Sequence, residues 1–70
     1  MTTTLETAAQ IEQLILRRTA GRVQRVCVQV DDEKVVIHGD ASTYHAMQLA
    51  VAAASALLPN HEVINAIEVI

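Results

Sequence analysis

Apolar residues recur along this chain at two different spacings. Leu5, Ala8, Ile11, Leu14 and Ile15 fall three or four apart, which is one face of a helix continuing to Arg18. Thr3-Thr4-Leu5-Glu6 reads as its capping box, with Thr3 as N-cap and Glu6 reaching back from the third position. Gly21 is placed to end it as the C′ glycine. From Val23 to Val30 the period drops to two, with Val26, Val28 and Val30 alternating with Arg25, Cys27 and Gln29. Asp31-Asp32-Glu33-Lys34 forms a turn. A second strand runs from Lys34 to Gly39, where Val35 and Ile37 alternate with Val36 and His38. So short a connection forces an antiparallel hairpin.

The hairpin register follows from side-chain character. Pairing Val30 with Val35 sets Val28 against Ile37, Val26 against Gly39, Cys27 against His38 and Gln29 against Val36. A slip of one residue would oppose apolar to polar on both faces. Helical spacing returns after Ser42, the expected N-cap of a second helix that runs to Leu58 and stops at Pro59. This helix carries two apolar stripes: Ala46, Leu49, Ala50, Ala53 and Leu57, and Tyr44, Met47, Val51, Ala54 and Leu58. Apolar character nearly all round implies burial on more than one side. A last strand, Val63 to Ile70, puts Val63, Asn65, Ile67 and Val69 on one face and Ile64, Ala66, Glu68 and Ile70 on the other. The order is αββαβ, an α+β domain filling residues 1–70 without a linker or repeat. Its expected core is Ile11, Leu14, Ile15, Val26, Val28, Val30, Val35, Ile37, Leu49, Ala50, Ala53, Leu57, Val63, Ile67 and Val69.

Length and composition sharpen this picture. Seventy residues, 51% hydrophobic and 19% charged, make one small ordered domain of marginal stability. Small domains usually need a staple. One cysteine allows no internal disulfide, and no Cys/His spacing makes a zinc site. Self-association is the remaining common staple, so a homo-oligomer is expected, most simply a two-fold dimer. Two surfaces are candidates for it: the Tyr44, Met47 and Val51 stripe, and the outer sheet face of Cys27, Val36, Ile64, Ala66 and Ile70.

Charge is uneven. Residues 1 to 30 hold four arginines against two glutamates, and residues 31 to 70 hold one lysine against six acids. Arg17, Arg18, Arg22 and Arg25 form the only dense cationic cluster, a candidate contact for anionic lipid headgroups or an acidic partner. Nucleic acid is excluded as a partner by the net charge of −3 and by the lack of aromatic stacking residues near the arginines. Residues 1 to 20 carry Glu6 and Glu12 and no continuous apolar stretch, so no secretory signal is read and a cytoplasmic location is expected. Cys27 and His38 as cross-strand neighbours invite a thiolate–imidazole reading, but a sheet face supplies neither pocket nor oxyanion donors. His45 and His61 lack ligand partners at metal spacing. Asp31-Asp32-Glu33 lacks the loop and glycine of a calcium site. No catalytic, cofactor, metal or small-molecule site is read, and the chain is expected not to be an enzyme.

The run Val26-x-Val28-x-Val30, Val35-x-Ile37-x-Gly39, a Ser-capped Ala-rich helix and Val63-x-Asn65-x-Ile67-x-Val69 resembles the BON domain over nearly the whole chain. The resemblance implies two helices on one face of a three-stranded mixed sheet. It also implies a non-enzymatic binding module for phospholipid or envelope components. Gly39 and Asn65 match the glycine and asparagine of the family pattern. Pro59-Asn60 replaces the usual Gly-Val, and the hairpin-turn glycine is absent. Gly39, facing Val26, is expected to let a helix approach the sheet. Asn65, on the core-facing side, is expected to bond backbone groups of residues 39 to 42.

Overall fold

A computed structural model of the protein describes residues 4–70. Its elements are α1 (Thr4–Thr19), β1 (Val23–Val30), β2 (Lys34–Ala41), α2 (Tyr44–Leu57) and β3 (Glu62–Val69). The expected αββαβ order holds, and the domain is α+β. β2 is the central strand, antiparallel to β1 and parallel to β3. A three-residue turn can only reverse the chain, and α2 carries it back over the sheet so that β3 enters beside β2 in the same direction. The Asp31 carboxylate builds that turn. Its Oδ1 accepts the amides of Glu33 at 2.8 Å and Lys34 at 2.7 Å, and these bonds hold the Asp31 carboxyl below the usual carboxylate range.

Both helices pack on one layer, α1 chiefly against β1 and α2 against β2 and β3. The core joins Ile11 and Ile15 of α1 to Val28, Val35, Ile37 and Ile67 of the sheet and to Ala46, Ala50, Ala53 and Ala54 of α2. Alanines let α2 lie close to its neighbours, which is how a chain without Phe or Trp closes an interior. Two expected core members are instead exposed. Leu57 is 41% exposed because it is the last residue of α2 and lines a groove between the helices. Val69, 45% exposed, ends a strand with a neighbour on one side only. Leu14, Val26, Val30, Leu49 and Val63 are half-buried around the rim.

The hairpin register holds from Val30↔Val35 to Cys27↔His38 and then shifts. Beyond the shift Gln24 pairs with Asp40 and Val23 with Ala41, so Arg25 and Val26 together stand opposite Gly39. This is a β-bulge, with Arg25 in the left-handed region at φ 54. It corrects the simple pairing of Val26 with Gly39. In an unbroken strand Val23 would share the outer face with Cys27 and Gln29. The extra residue turns it inward, where it is fully buried. Gly39 also takes a different role from the expected one. A Cβ there would lie 3.1 Å from the Gln24 carbonyl oxygen and 3.3 Å from Val23 Cγ1. The glycine makes room for the bulged backbone of β1, not for a helix.

The helix ends are each displaced by one residue. Ala20, not Gly21, is the first left-handed residue after α1, at φ 52, and Gly21 follows at φ 80. The Gly21 amide donates to the Leu16 carbonyl at 3.4 Å in a Schellman arrangement, with Ala20 at C′. A left-handed alanine is strained. Ala20→Gly is therefore expected to stabilise the fold by up to about 1 kcal/mol, read as a Tm rise of roughly 4–8 °C per kcal/mol. An unchanged or lower Tm would refute the strain. At α2 the N-cap is Thr43, whose Oγ1 accepts the Ala46 amide at 3.0 Å. Ser42, the expected cap, is held by its own amide on the Arg22 carbonyl at 2.9 Å, so the helix starts one residue later. The expected capping box rests on Thr3, which lies outside the described residues.

Candidate functional site

The strand register sorts the charges along a molecule 35 Å in its longest dimension. Val23, Ala41 and Val69 are level at one end, and Val30, Val35 and Val63 at the other. The first end carries all four candidate arginines against Asp40 and Glu68. The second carries Asp31, Asp32, Glu33 and Glu62 against Lys34. An eight-residue strand separates them by about 25 Å, well over a Debye length at physiological salt.

The four arginines share that end without forming one site. Arg17 and Arg18 lie in the last turn of α1, and Arg17 lines the groove between the helices with Gln13, Leu14 and Leu57. Arg22 lines a separate hollow with Asp40 and Ile70. Arg25 is committed to Asp40. Its Nε donates to Asp40 Oδ2 at 2.6 Å, and its Nη2 donates to the same oxygen.

On the outer sheet face Cys27 and His38 stand opposite one another, both exposed, with Ala66 next in the row. Val36 and Ile64 form the adjacent row and are half-buried. Ile70 lies at the arginine end of this face, where its amide continues the ladder to the Ala41 carbonyl. It is 79% exposed, beyond the end of β3 in the hollow with Arg22. His61 Nε2 lies 3.0 Å from the Asp31 carbonyl oxygen and ties the start of β3 to the hairpin. Among the described residues no cluster of three or more His, Cys, Asp or Glu is placed to hold a metal ion.

The stripe expected as an interface becomes one wall of a groove between α2 and β3. Tyr44, Met47, Gln48, Val51, Ala52 and Ser55 line it from the helix and Asn65 from the strand, around a volume of about 480 Å³. Tyr44 is 62% exposed. The other two members of that stripe turn away from the groove, Ala54 buried and Leu58 half-buried. Gln48, Ala52 and Ser55 were not singled out in the sequence, although their spacing from Tyr44 by four, eight and eleven marks the same flank.

Asn65 departs from expectation. It is exposed, and it does not reach residues 39 to 42. Its Nδ2 donates to Met47 Sδ at 3.1 Å, and its Oδ1 accepts the amide of Ile67, two residues along its own strand, at 3.1 Å. Its position beside Ile37 does put it on the helix side of the sheet. On a strand with no outer neighbour, that position opens to solvent.

No family model matches the chain, and no curated protein or solved structure matches it either. Among the described residues no helix is long and apolar enough to cross a membrane.

Proposed function

We propose that this chain is a non-enzymatic docking module of BON-like architecture that binds through the α2–β3 face. The observation carrying this reading is the composition of that face. α2 has no Asp, Glu, Lys or Arg over fourteen residues, and its Tyr44, Met47 and Val51 flank lines the groove, with Tyr44 exposed and Met47 and Val51 half-buried. Apolar surface of that kind on a small domain marks an interaction site. A homo-oligomer would use the same surface, as a dimer in its simplest form.

Dilution of 15N-labelled protein tests the self-associating form of the proposal, in which two copies meet through the Tyr44, Met47 and Val51 flank. Concentration-dependent shifts are expected at Met47, Val51, Ala52 and Asn65, and Val51→Glu should suppress them while Ile64→Glu leaves them. Shifts centred on Val36 and Ile64 would move the docking surface to the outer sheet face. A second reading is favoured by the segregation of charge: the arginine end meets an anionic membrane surface while the acidic hairpin points away. Each basic residue near such a surface contributes about 1 kcal/mol. Flotation should then show weak binding to anionic vesicles alone, lost with added salt and reduced by Arg17→Gln with Arg18→Gln. Binding to neutral vesicles at high salt would contradict it.

A further inference from the structure

We infer that the α2–β3 groove is the seat of a fourth strand, supplied in trans by an extended segment of a partner protein. That segment is apolar on alternate residues and carries two basic residues six positions apart. The inference rests on the docking reading above and names the occupant of that surface.

The first argument is width. Helices pack about 8–10 Å apart and strands about 4.8 Å apart, so two helices side by side span about four strands. This sheet has three. α1 lies chiefly against β1 and α2 against β3 and β2, and beside the outer flank of α2 the edge strand β3 offers only Asn65 as the opposite wall of an open groove. A fourth strand would lie in that groove.

The second argument is hydrogen bonding. The Glu62 amide donates to the Glu33 carbonyl at 2.8 Å and the Ile70 amide to the Ala41 carbonyl at 2.9 Å. Backbone groups alternate along a strand, so the even-numbered residues of β3 serve β2. Val63, Asn65, Ile67 and Val69 turn their amides and carbonyls to the open edge. All eight register pairs of β3 are regular. The other edge, β1, is broken by the bulge at left-handed Arg25 and makes a poor template.

The third argument is charge. Glu62 and Glu68 lie on the outer face of β3, six residues apart, and neither is ion-paired among the described residues. An added strand places its own side chains directly beside them, and opposite charges there are favourable. A second copy of β3 running antiparallel about a two-fold axis at Asn65 would instead set Glu62 against Glu68 twice. Asn65 then acts as a stopper, because its Oδ1 holds the Ile67 amide that an incoming strand needs. It must swing away for the strand to pair.

The test uses the heptapeptide Lys-Val-Thr-Ile-Thr-Val-Lys, with blocked ends, titrated at millimolar concentration into the 15N-labelled protein. Shifts are expected along Val63 to Val69 and at Met47 and Val51. The same peptide with glutamate in place of both lysines should bind about 10-fold more weakly, since two cross-strand pairs change sign. Asn65→Ala should bind the lysine peptide more tightly than the unsubstituted protein, by about 3-fold or more. An asparagine that merely supports the fold would leave binding unchanged or weaker. Equal binding of the two peptides, or shifts centred on β1 or the outer face, would overturn strand addition, and this comparison needs no variant to fold. If neither peptide moves β3 while dilution shifts still map to Met47 and Val51, strand addition fails and the docking surface stands. If both experiments leave that face unmoved, strand addition and the self-associating form both fall.

Discussion

Ile37→Ala is expected to cost about 2–5 kcal/mol and to leave much of the protein unfolded under ordinary conditions. Ile37 sits in the middle of the central strand, fully buried, between Val28 on β1 and Asn65 on β3. It faces the layer in which α1 and α2 meet, so no surface side chain can move in to fill the space it leaves. A domain of this length has a total stability of roughly 4–10 kcal/mol, and the loss is a large part of that. Urea unfolding followed by circular dichroism reads it directly. A variant with an unchanged midpoint would show that the interior does not close on this residue.

Gly39→Val is expected to cost about 3 kcal/mol, and the reason is steric. Gly39 is not in the left-handed region, so valine suits the local strand conformation. The obstacle is the bulge on β1. The nearest atoms to an added Cβ are the Gln24 carbonyl oxygen at 3.1 Å and Val23 Cγ1 at 3.3 Å, with Val26 Cα at 3.6 Å. Two of these are backbone and cannot withdraw unless the bulge is undone. Undoing it would return Val23 to the outer face and empty a buried position. Gly39→Ala, with a single carbon to place, should lose less, about 1 kcal/mol. Equal stability of the glycine and valine proteins would mean that the bulge is not held by this contact. Ile37→Ala and Gly39→Val act through different contacts, so nuclear magnetic resonance separates them. In the valine variant the disturbance should centre on residues 23 to 26, and in the alanine variant on the middle of the sheet.

Local information in the chain determined the order of elements, the hairpin register from Cys27 to Val30, the apolar flank of α2 and the arginine cluster. Each rests on neighbours a few residues apart, where period and turn length act directly. Tertiary structure decided the rest. Strict alternation assigns Val23 to the outer face, and only the fit of β1 against Gly39 puts an extra residue at Arg25 and turns Val23 inward. Nothing in the identity of an arginine asks for a left-handed conformation, so the bulge had no local signal. Ser42 and Thr43 are both good caps, and the bond from the Ser42 amide to Arg22 chose between them. Asn65 was legible as a residue on the helix side of the last strand. That this strand is an edge, with its amides open beside the outer flank of α2, depends on strand order. Strand order depends on how two helices share one face of a sheet, which no spacing along the chain encodes.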